Sequence, residues 1–150
     1  MKRLFCIFAL TCALTLAVCA QGNGAKTDEQ GGAMTITIKG GKTFTATLVK
    51  NSSTAALLAL LKEGPVTIQM HDYGNFEKVG GLGKTLPTND ERITTKRGDL
   101  ILYQGNALVI YYAPNTWTFT RLGKIDDVTP EELKTALGEG DVTVTLSLKN

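Results

Sequence analysis

The sequence predicts a mainly β domain in which eight strands form a closed barrel capped by two helices. Two observations lead to this fold class. Short apolar runs that alternate with threonine recur along the chain between glycine-containing turns, which is typical of antiparallel strands. Only two segments have the spacing of an amphipathic helix, and they lie far apart, whereas a parallel sheet would need a helix between most of its strands. A barrel pairs its strands without further helices.

The N-terminal 20 residues have the pattern of an export signal. Residues 1–3 are a short basic start, residues 4–18 are apolar and uncharged, and the tripeptide that ends at Ala20 resembles a cleavage site. A membrane anchor is the weaker alternative, because about 20 apolar residues are needed to span a bilayer. The segment that ends at Cys19 also resembles a bacterial lipobox, but Val18 departs from that motif. We favour cleavage after Ala20, with lipidation of Cys19 as the alternative.

Removal of this signal changes the composition of the protein. The three cysteines all lie in residues 1–20, so the mature chain has no disulfide framework and no thiol nucleophile. The chain has 16 Lys and Arg against 14 Asp and Glu; Lys2 and Arg3 leave with the signal, and the mature chain is formally neutral. This balance gives no electrostatic support for nucleic-acid binding. Residues 21–33 are predicted to be a flexible linker and residues 34–150 one domain.

The first half of the domain is predicted to be a hairpin, a helix and a strand. Residues 34–48 alternate apolar side chains with threonine around a Gly-Gly turn, so one face should be buried and the other covered by threonine. Asn51 or Ser52 can cap a helix that runs through the leucines to residue 61 and ends before Gly64-Pro65. Residues 66–70 then alternate as another strand.

Residues 71–97 are the least regular part of the sequence. They contain a predicted turn at 73–76, a short strand over 77–82 and a polar surface segment over 88–97. The glycines between residues 80 and 83 are not a phosphate-binding loop, because the Lys-Thr-Leu-Pro that follows blocks the long helix such a loop requires. We predict a bend or bulge there.

Residues 98–127 have the densest apolar and aromatic content and are predicted to form three central strands, over 100–103, 107–112 and 117–122. The first two are joined by a tight turn in which Gly105 takes a positive φ. Residues 123–128 are then expected to turn into a second helix, which starts with a capping box at 129–132 that has proline at its first helical position. Residues 142–148 alternate as the last strand.

Few residues of this chain suit catalysis or metal binding. The only histidine is His71, which excludes a site of several histidines, and no serine lies in a nucleophile-elbow context. No cofactor is expected. A polar and aromatic pocket on the barrel face is the one candidate binding site, and its candidate residues are Tyr73, Glu77, Lys78, Tyr112, Trp117 and Arg121. The simpler interpretation, which we prefer, is that the rings belong to the core and the charges form a solvated rim.

Five segments together resemble the bacterial cyclophilin-like domain family. They are Gly41–Leu48 (GKTFTATL), Leu86–Asn89 (LPTN), Gly98–Leu100 (GDL), Arg121–Asp127 (RLGKIDD) and Gly140–Thr145 (GDVTVT). Each is short, but their order and spacing are specific, and the likeness extends from Met34 to Leu148. The resemblance implies an eight-stranded cyclophilin-type barrel with helices that close its ends.

The resemblance does not extend to the active site of true cyclophilins. Prolyl isomerisation in those enzymes uses a Phe-His-Arg segment, a Gln-Gly-Gly-Asp segment and a proline pocket with Trp and His, and none of these motifs is present. Gln104-Gly105-Asn106 only echoes the second motif, and Arg121 has no Phe-His before it. A shared fold does not transfer an activity. The leading hypothesis is an exported, non-catalytic module that binds a small ligand or an extended peptide; the alternative is a peptidyl-prolyl isomerase-like enzyme with a degenerate site.

Overall fold

The computed structural model describes residues 30–149. The predicted export signal, Cys19 and the linker up to residue 29 lie outside the described residues. The described elements, in chain order, are β1 (Gln30–Ile38), β2 (Thr43–Val49), α1 (Ser52–Glu63), β3 (Val66–Tyr73), β4 (Glu77–Gly81), β5 (Glu91–Thr94), β6 (Asp99–Tyr103), β7 (Ala107–Tyr111), β8 (Thr116–Ile125), α2 (Pro130–Leu137) and β9 (Val142–Leu148).

Eight of these strands form a closed antiparallel barrel, as the sequence predicts. Around the ring the order is β2, β1, β9, β3, β4, β7, β6 and β8, and β8 pairs again with β2. The closing seam joins Ala46 to Ile125 and Leu48 to Gly123. A side chain at Gly123 would collide with the backbone of Thr47 and Leu48, so the close approach of β2 and β8 depends on this glycine.

Two strand assignments extend beyond the prediction. β1 begins at Gln30, four residues before the predicted domain boundary at Met34, because residues 30–33 continue the pairing with β2 through a bulge. β8 continues through residues 123–125, which were expected to turn towards the second helix but instead close the barrel. In both cases the pairing with β2 decides where the strand ends, and for β8 this partner is remote in sequence.

A ninth strand, β5, lies outside the ring in the segment predicted to be a polar surface excursion. It pairs only with the first half of β8, where Ile93 lies opposite Trp117 and the hydroxyls of Thr94 and Thr116 are 2.8 Å apart. Three of the four residues of β5 are polar or charged, so the sequence shows no alternation of apolar and polar side chains that would predict this strand. Gly80 and Gly81 are strand residues at the end of β4, within the predicted strand over 77–82, and they pair with Leu108 and Ala107 of β7. The predicted bend is present only at Gly83, which has φ of 71°.

The predicted turns and the two-faced hairpin are confirmed. Gln104 and Gly105 have φ of 50° and 73°, as a two-residue hairpin turn with a twist matched to its strands requires. The inward side chains of β1 and β2 are buried, and their outward threonines bond across strands, with Thr37 Oγ1 3.0 Å from Thr43 Oγ1. The alternation of apolar residues with threonine in the sequence was therefore sufficient to predict which face of the hairpin is buried.

Both helices contribute leucines to the core inside the barrel. Leu57 and Leu61 of α1 and Leu133 and Leu137 of α2 belong to the same buried cluster as the inward side chains of the strands. That the two helices cap the ends of the barrel remains a prediction. Within the described part of the chain, neither helix is long and apolar enough to cross a membrane.

The predicted capping box of α2 is confirmed and makes a testable contribution to stability. The Glu132 amide donates to the Thr129 hydroxyl at 3.1 Å, and the Thr129 amide donates to the Glu132 carboxylate at 3.1 Å. We expect Thr129→Ala to lower the free energy of unfolding by about 1 kcal/mol, because the first turn loses its cap. Urea denaturation checks this, with Thr135→Ala on the exposed side of the same helix as the control. An equal loss in both variants would contradict a specific role of the cap.

Candidate functional site

A cavity of about 520 Å³ lies on the outer face of the barrel, where aromatic side chains collect. Its size is within the range of small-ligand sites, and its lining is mainly aromatic and aliphatic with a few polar groups, as in such sites. The lining residues are His71, Tyr73, Phe76, Glu77, Val79, Tyr103, Val109, Tyr111, Asn115, Trp117 and Phe119.

The strand register brings these residues together. Tyr73 of β3 lies opposite Glu77 of β4, and Glu77 lies opposite Tyr111 of β7, so three adjacent strands present one row of side chains on the outer face. Alternate residues of a strand face the same side, so His71 and Val79 form a parallel row one step along the same strands. The cavity is thus built on paired strands rather than on a loop.

The aromatic rings form a continuous series across this face. Phe76 stacks on Tyr111 with ring centroids 6.2 Å apart, and Tyr111 contacts Phe119 at 5.8 Å. Tyr73 and Tyr103 extend the series at its two ends through edge contacts. The middle of the series is buried, whereas Tyr73 is 61% and Trp117 58% exposed. Large exposed rings beside a cavity are typical of a binding surface.

The turn between β3 and β4 positions Phe76. Gly74 and Asn75 have φ of 59° and 57°, which again makes a two-residue hairpin turn and confirms the predicted turn at 73–76. A side chain at residue 74 would collide with the Phe76 ring, so the glycine lets the ring fold back over the sheet. The Phe76 carbonyl also accepts hydrogen bonds from the amides of Tyr112 and Ala113. The turn and the two hydrogen bonds to the carbonyl therefore fix the Phe76 backbone, which holds the ring at the cavity.

Glu77 is the only carboxylate among the residues that line the cavity. It is 8% exposed, and its Oε2 atom is buried with no hydrogen-bond partner among residues 30–149. Burial raises the pKa of Glu77, and a hydrogen bond with the Tyr111 hydroxyl opposes this shift. Buried polar atoms are nearly always hydrogen-bonded in folded proteins, so an unpaired carboxylate oxygen at a cavity is an available acceptor.

The structure separates Lys78 and Tyr112 from the predicted pocket. Successive strand residues face opposite ways, so Lys78 points into the barrel when Glu77 points out. The Lys78 ammonium is fully buried, 2.7 Å from Asp72 Oδ1 and 2.6 Å from the Gly140 carbonyl. Tyr112 donates to the same Asp72 oxygen at 3.2 Å. These groups form a polar network beside a different cavity of about 440 Å³.

Arg121 also lies apart from the cavity lining. Its guanidinium donates to Asp99 Oδ2 at 2.8 Å, and that carboxylate also accepts from the Lys96 amide. Arg121 shares its face of β8 with Trp117 and Phe119, as predicted, but its charge is neutralised by a nearly buried partner. The arginine on which the isomerase alternative relies is therefore engaged in an ion pair outside the cavity.

Three of the six pocket candidates, Tyr73, Glu77 and Trp117, line the cavity. Sequence analysis missed the rings of Phe76, Tyr103, Tyr111 and Phe119 as cavity residues. Strands β6 and β7 are buried on both faces, so their residues form continuous apolar runs in which inward and outward positions look alike. The alternation of Trp117 and Phe119 in β8 was the available signal for this face of the sheet. Tyr111 of β7 joins that face through its ring contact with Phe119.

The cavity has the groups to bind a ligand but few to perform chemistry. His71 and Glu77 are its only common acid or base side chains, and the hydroxyl bonded to Glu77 belongs to Tyr111, a buried residue whose pKa is raised by that burial. Among residues 30–149 there is no group of three or more His, Cys, Asp or Glu side chains that could hold a metal ion. The arrangement offers ring faces and edges, one carboxylate acceptor and the Asn115 amide.

Comparison with known proteins identifies the family of this chain. The family model described as the cyclophilin-like family matches residues 36–147, which covers all eight barrel strands at least in part, together with β5 and both helices. Neither the curated proteins nor the solved structures give a match. The match spans most of the chain and agrees with the closed eight-stranded barrel. The chain therefore belongs to the cyclophilin-like family.

Proposed function

We propose that this protein is an exported binding module that holds a small ligand, or one side chain of an extended peptide, in the aromatic cavity on the outer face of its barrel. The observation that carries the proposal is the cavity itself: a concave site of about 520 Å³ on paired strands, with the exposed rings of Tyr73 and Trp117 at its rim. Aromatic residues bury a large area for few rotatable bonds, so they suit such a role.

The position of the site supports binding rather than a purely structural role for the rings. Core rings need no opening to solvent, but Tyr73 and Trp117 leave more than half of their surface exposed beside buried neighbours. A ligand placed between them would cover apolar area at about 25 cal/mol per Å². Export is proposed from the N-terminal signal pattern, to the periplasm or the outside of the cell, with membrane attachment only through lipidation of Cys19.

Intrinsic tryptophan fluorescence can report binding in this test. Trp117 is the only tryptophan and lines the cavity, so its fluorescence should change when the cavity fills. We would titrate residues 21–150 with a fragment library and with capped peptides that vary one central residue. We expect saturable changes for a subset of probes. Tyr73→Ala should weaken those probes about tenfold, as the loss of an aromatic contact of about 1.4 kcal/mol would.

Tyr112→Phe is the matched control, because it also alters a tyrosine beside the β3–β4 hairpin but outside the cavity. We expect it to leave the affinities unchanged. If no probe of either type gives a saturable signal, or if Tyr73→Ala and Tyr112→Phe change the affinities equally, the proposed binding site is wrong.

A further inference from the structure

The lining of the cavity also favours one chemical class of ligand, an inference that rests on the proposed function. We infer that its ligand presents an alkylammonium group, with one N–H donated to Glu77 Oε2 and the adjoining carbons packed against the surrounding rings. The source is either a small amine or a lysine side chain of a peptide, since both carry this chemistry.

The first argument is the unpaired carboxylate oxygen. Glu77 is more than nine-tenths buried, and Oε2 has no donor anywhere in the described part of the chain. Leaving a buried acceptor unsatisfied destabilises the free protein, and more so when the group is charged. A ligand with an N–H donor relieves this destabilisation on binding. A cationic donor relieves it further, because it also neutralises the buried charge.

The second argument is the charge distribution around Glu77. The residues that line the cavity include no Lys or Arg that could pair with the carboxylate. The other titratable groups that line the cavity with it are His71 and Tyr73 from β3, Tyr103 from β6 and Tyr111 from β7. Tyr112 lies outside the lining, but its pKa is raised by burial and, to a smaller extent, by the charges of Asp72 and Glu77. Glu91 of β5, which is exposed and outside the lining, lies in register with Phe119. Asp99 and Arg121 neutralise each other.

The third argument is the aromatic lining. Ring faces attract a cation that lies within about 6 Å, and the attraction is stronger when the contact is desolvated. Trp117 and Tyr73 offer exposed rings, and the series of rings from Tyr73 to Tyr103 offers apolar surface for methylene groups. A single buried carboxylate among several rings thus suits an ammonium group better than an anion or a neutral apolar ligand.

The inference also predicts a pH dependence. Because burial raises the pKa of Glu77, the carboxyl keeps its proton to a higher pH than an exposed glutamate does. The ionised form that attracts a cation is present above that raised pKa and is lost as the pH falls through it. The affinity for the ammonium ligand should therefore rise with pH through this range, while the affinity for a neutral ligand stays constant.

Paired probes test the inference directly. Benzylammonium is compared with benzyl alcohol, and a capped tripeptide with central lysine is compared with its norleucine counterpart, by Trp117 fluorescence and by chemical-shift changes. At neutral pH we expect the cation of each pair to bind about tenfold more tightly than the neutral probe. A preference in only the first pair identifies a free amine as the ligand, and a preference in the second identifies a lysine side chain.

Glu77→Gln is the decisive variant, and Glu63→Gln, which removes an exposed carboxylate at the end of α1, is the control. Glu77→Gln should abolish the preference for the cation and should also raise the midpoint of urea denaturation at neutral pH, since the ionised carboxylate destabilises the free protein. Glu63→Gln should change neither. The pH series on the unaltered protein tests the same point if Glu77→Gln does not fold.

The outcomes distinguish the two proposals. If the cationic and neutral probes bind equally well to the unaltered protein and also to Glu77→Gln, the cavity remains a binding site but the ammonium preference is wrong. A cation preference that persists in Glu77→Gln would overturn the role of this carboxylate. The absence of binding by any probe, including the wider library, would overturn the proposed function itself.

Discussion

Gly123→Val is expected to destabilise the barrel by about 3 kcal/mol, in the upper part of the range for overpacked positions. A side chain at this residue would meet the Thr47 carbonyl and the Leu48 Cα in the seam where β8 closes the barrel against β2. Backbone atoms cannot rotate away as a side chain can, so the two strands would have to separate. Urea denaturation measures the loss, and the far-UV spectrum reports whether the sheet persists.

Gly81→Val is the matched control for this prediction. Gly81 is also a strand residue, paired with Ala107, but a side chain there would meet nothing within 4 Å. Valine favours strands more than glycine does, so we expect this variant to be neutral or slightly stabilising. Comparable losses in the two variants would show that the seam is not the cause.

Asp72→Ala is expected to lower the free energy of unfolding by about 3 kcal/mol, because it leaves the buried Lys78 ammonium with no counter-charge. In the native protein Asp72 Oδ1 lies 2.7 Å from Lys78 Nζ, and Asp72 Oδ2 accepts from the Gly140 amide at 2.7 Å. Lys78→Met should cost much less, since it removes the buried charge, keeps most of the apolar stem and leaves an Asp72 side chain that is 31% exposed.

The double variant makes this test sharper. Asp72→Ala combined with Lys78→Met should recover most of the loss of Asp72→Ala, which a double-mutant cycle records as coupling. Lys42→Met, which breaks the exposed ion pair with Glu132, should leave the denaturation midpoint unchanged. Additive losses for Asp72 and Lys78 would contradict a buried ion pair.

The same pair predicts a dependence on acid. The hydrogen bond with Lys78 lowers the pKa of Asp72 below its ordinary value of 3.8. The stabilisation is therefore present above the pKa of the unfolded chain and is lost as the pH falls through the lower folded pKa. The stability difference between the native protein and Asp72→Asn should be constant above about pH 5 and should shrink as the pH falls through 3.8 and below it. A constant difference would show that the charge of Asp72 does not matter.

Local sequence patterns predicted most of the strands, because an alternating strand with one buried face carries its own signal. The capping box of α2 and the turn glycines were equally local, as Thr129 and Gly105 illustrate. The ends of β1 and β8 and the whole of β5 were not predictable in this way. Residues 30–33, 91–94 and 123–125 are strands because a partner strand lies beside them, and for 123–125 that partner is distant in sequence.

The site was harder to predict than the fold for the same reason. Glu77 and Lys78 are adjacent in sequence and were grouped together, yet the strand sends one outward to the cavity and the other inward to Asp72. Tyr111 and Tyr112 divide in the same way, and only Tyr111 lines the cavity. The identity of each side chain was visible in the sequence, but the face of the sheet it occupies depends on strand register.

The ring closure has a consequence for how the chain reaches this structure. β9 joins β1 to β3, with Met34 opposite Leu148 and Ile68 opposite Val144, so the circle of strands is incomplete until residues 142–148 are available. The β2–β8 seam likewise joins residues nearly 80 positions apart. Pairings between remote segments slow folding, and all-β domains of this kind typically fold in milliseconds to seconds. We therefore expect folding to await synthesis of the last strand rather than to proceed hairpin by hairpin.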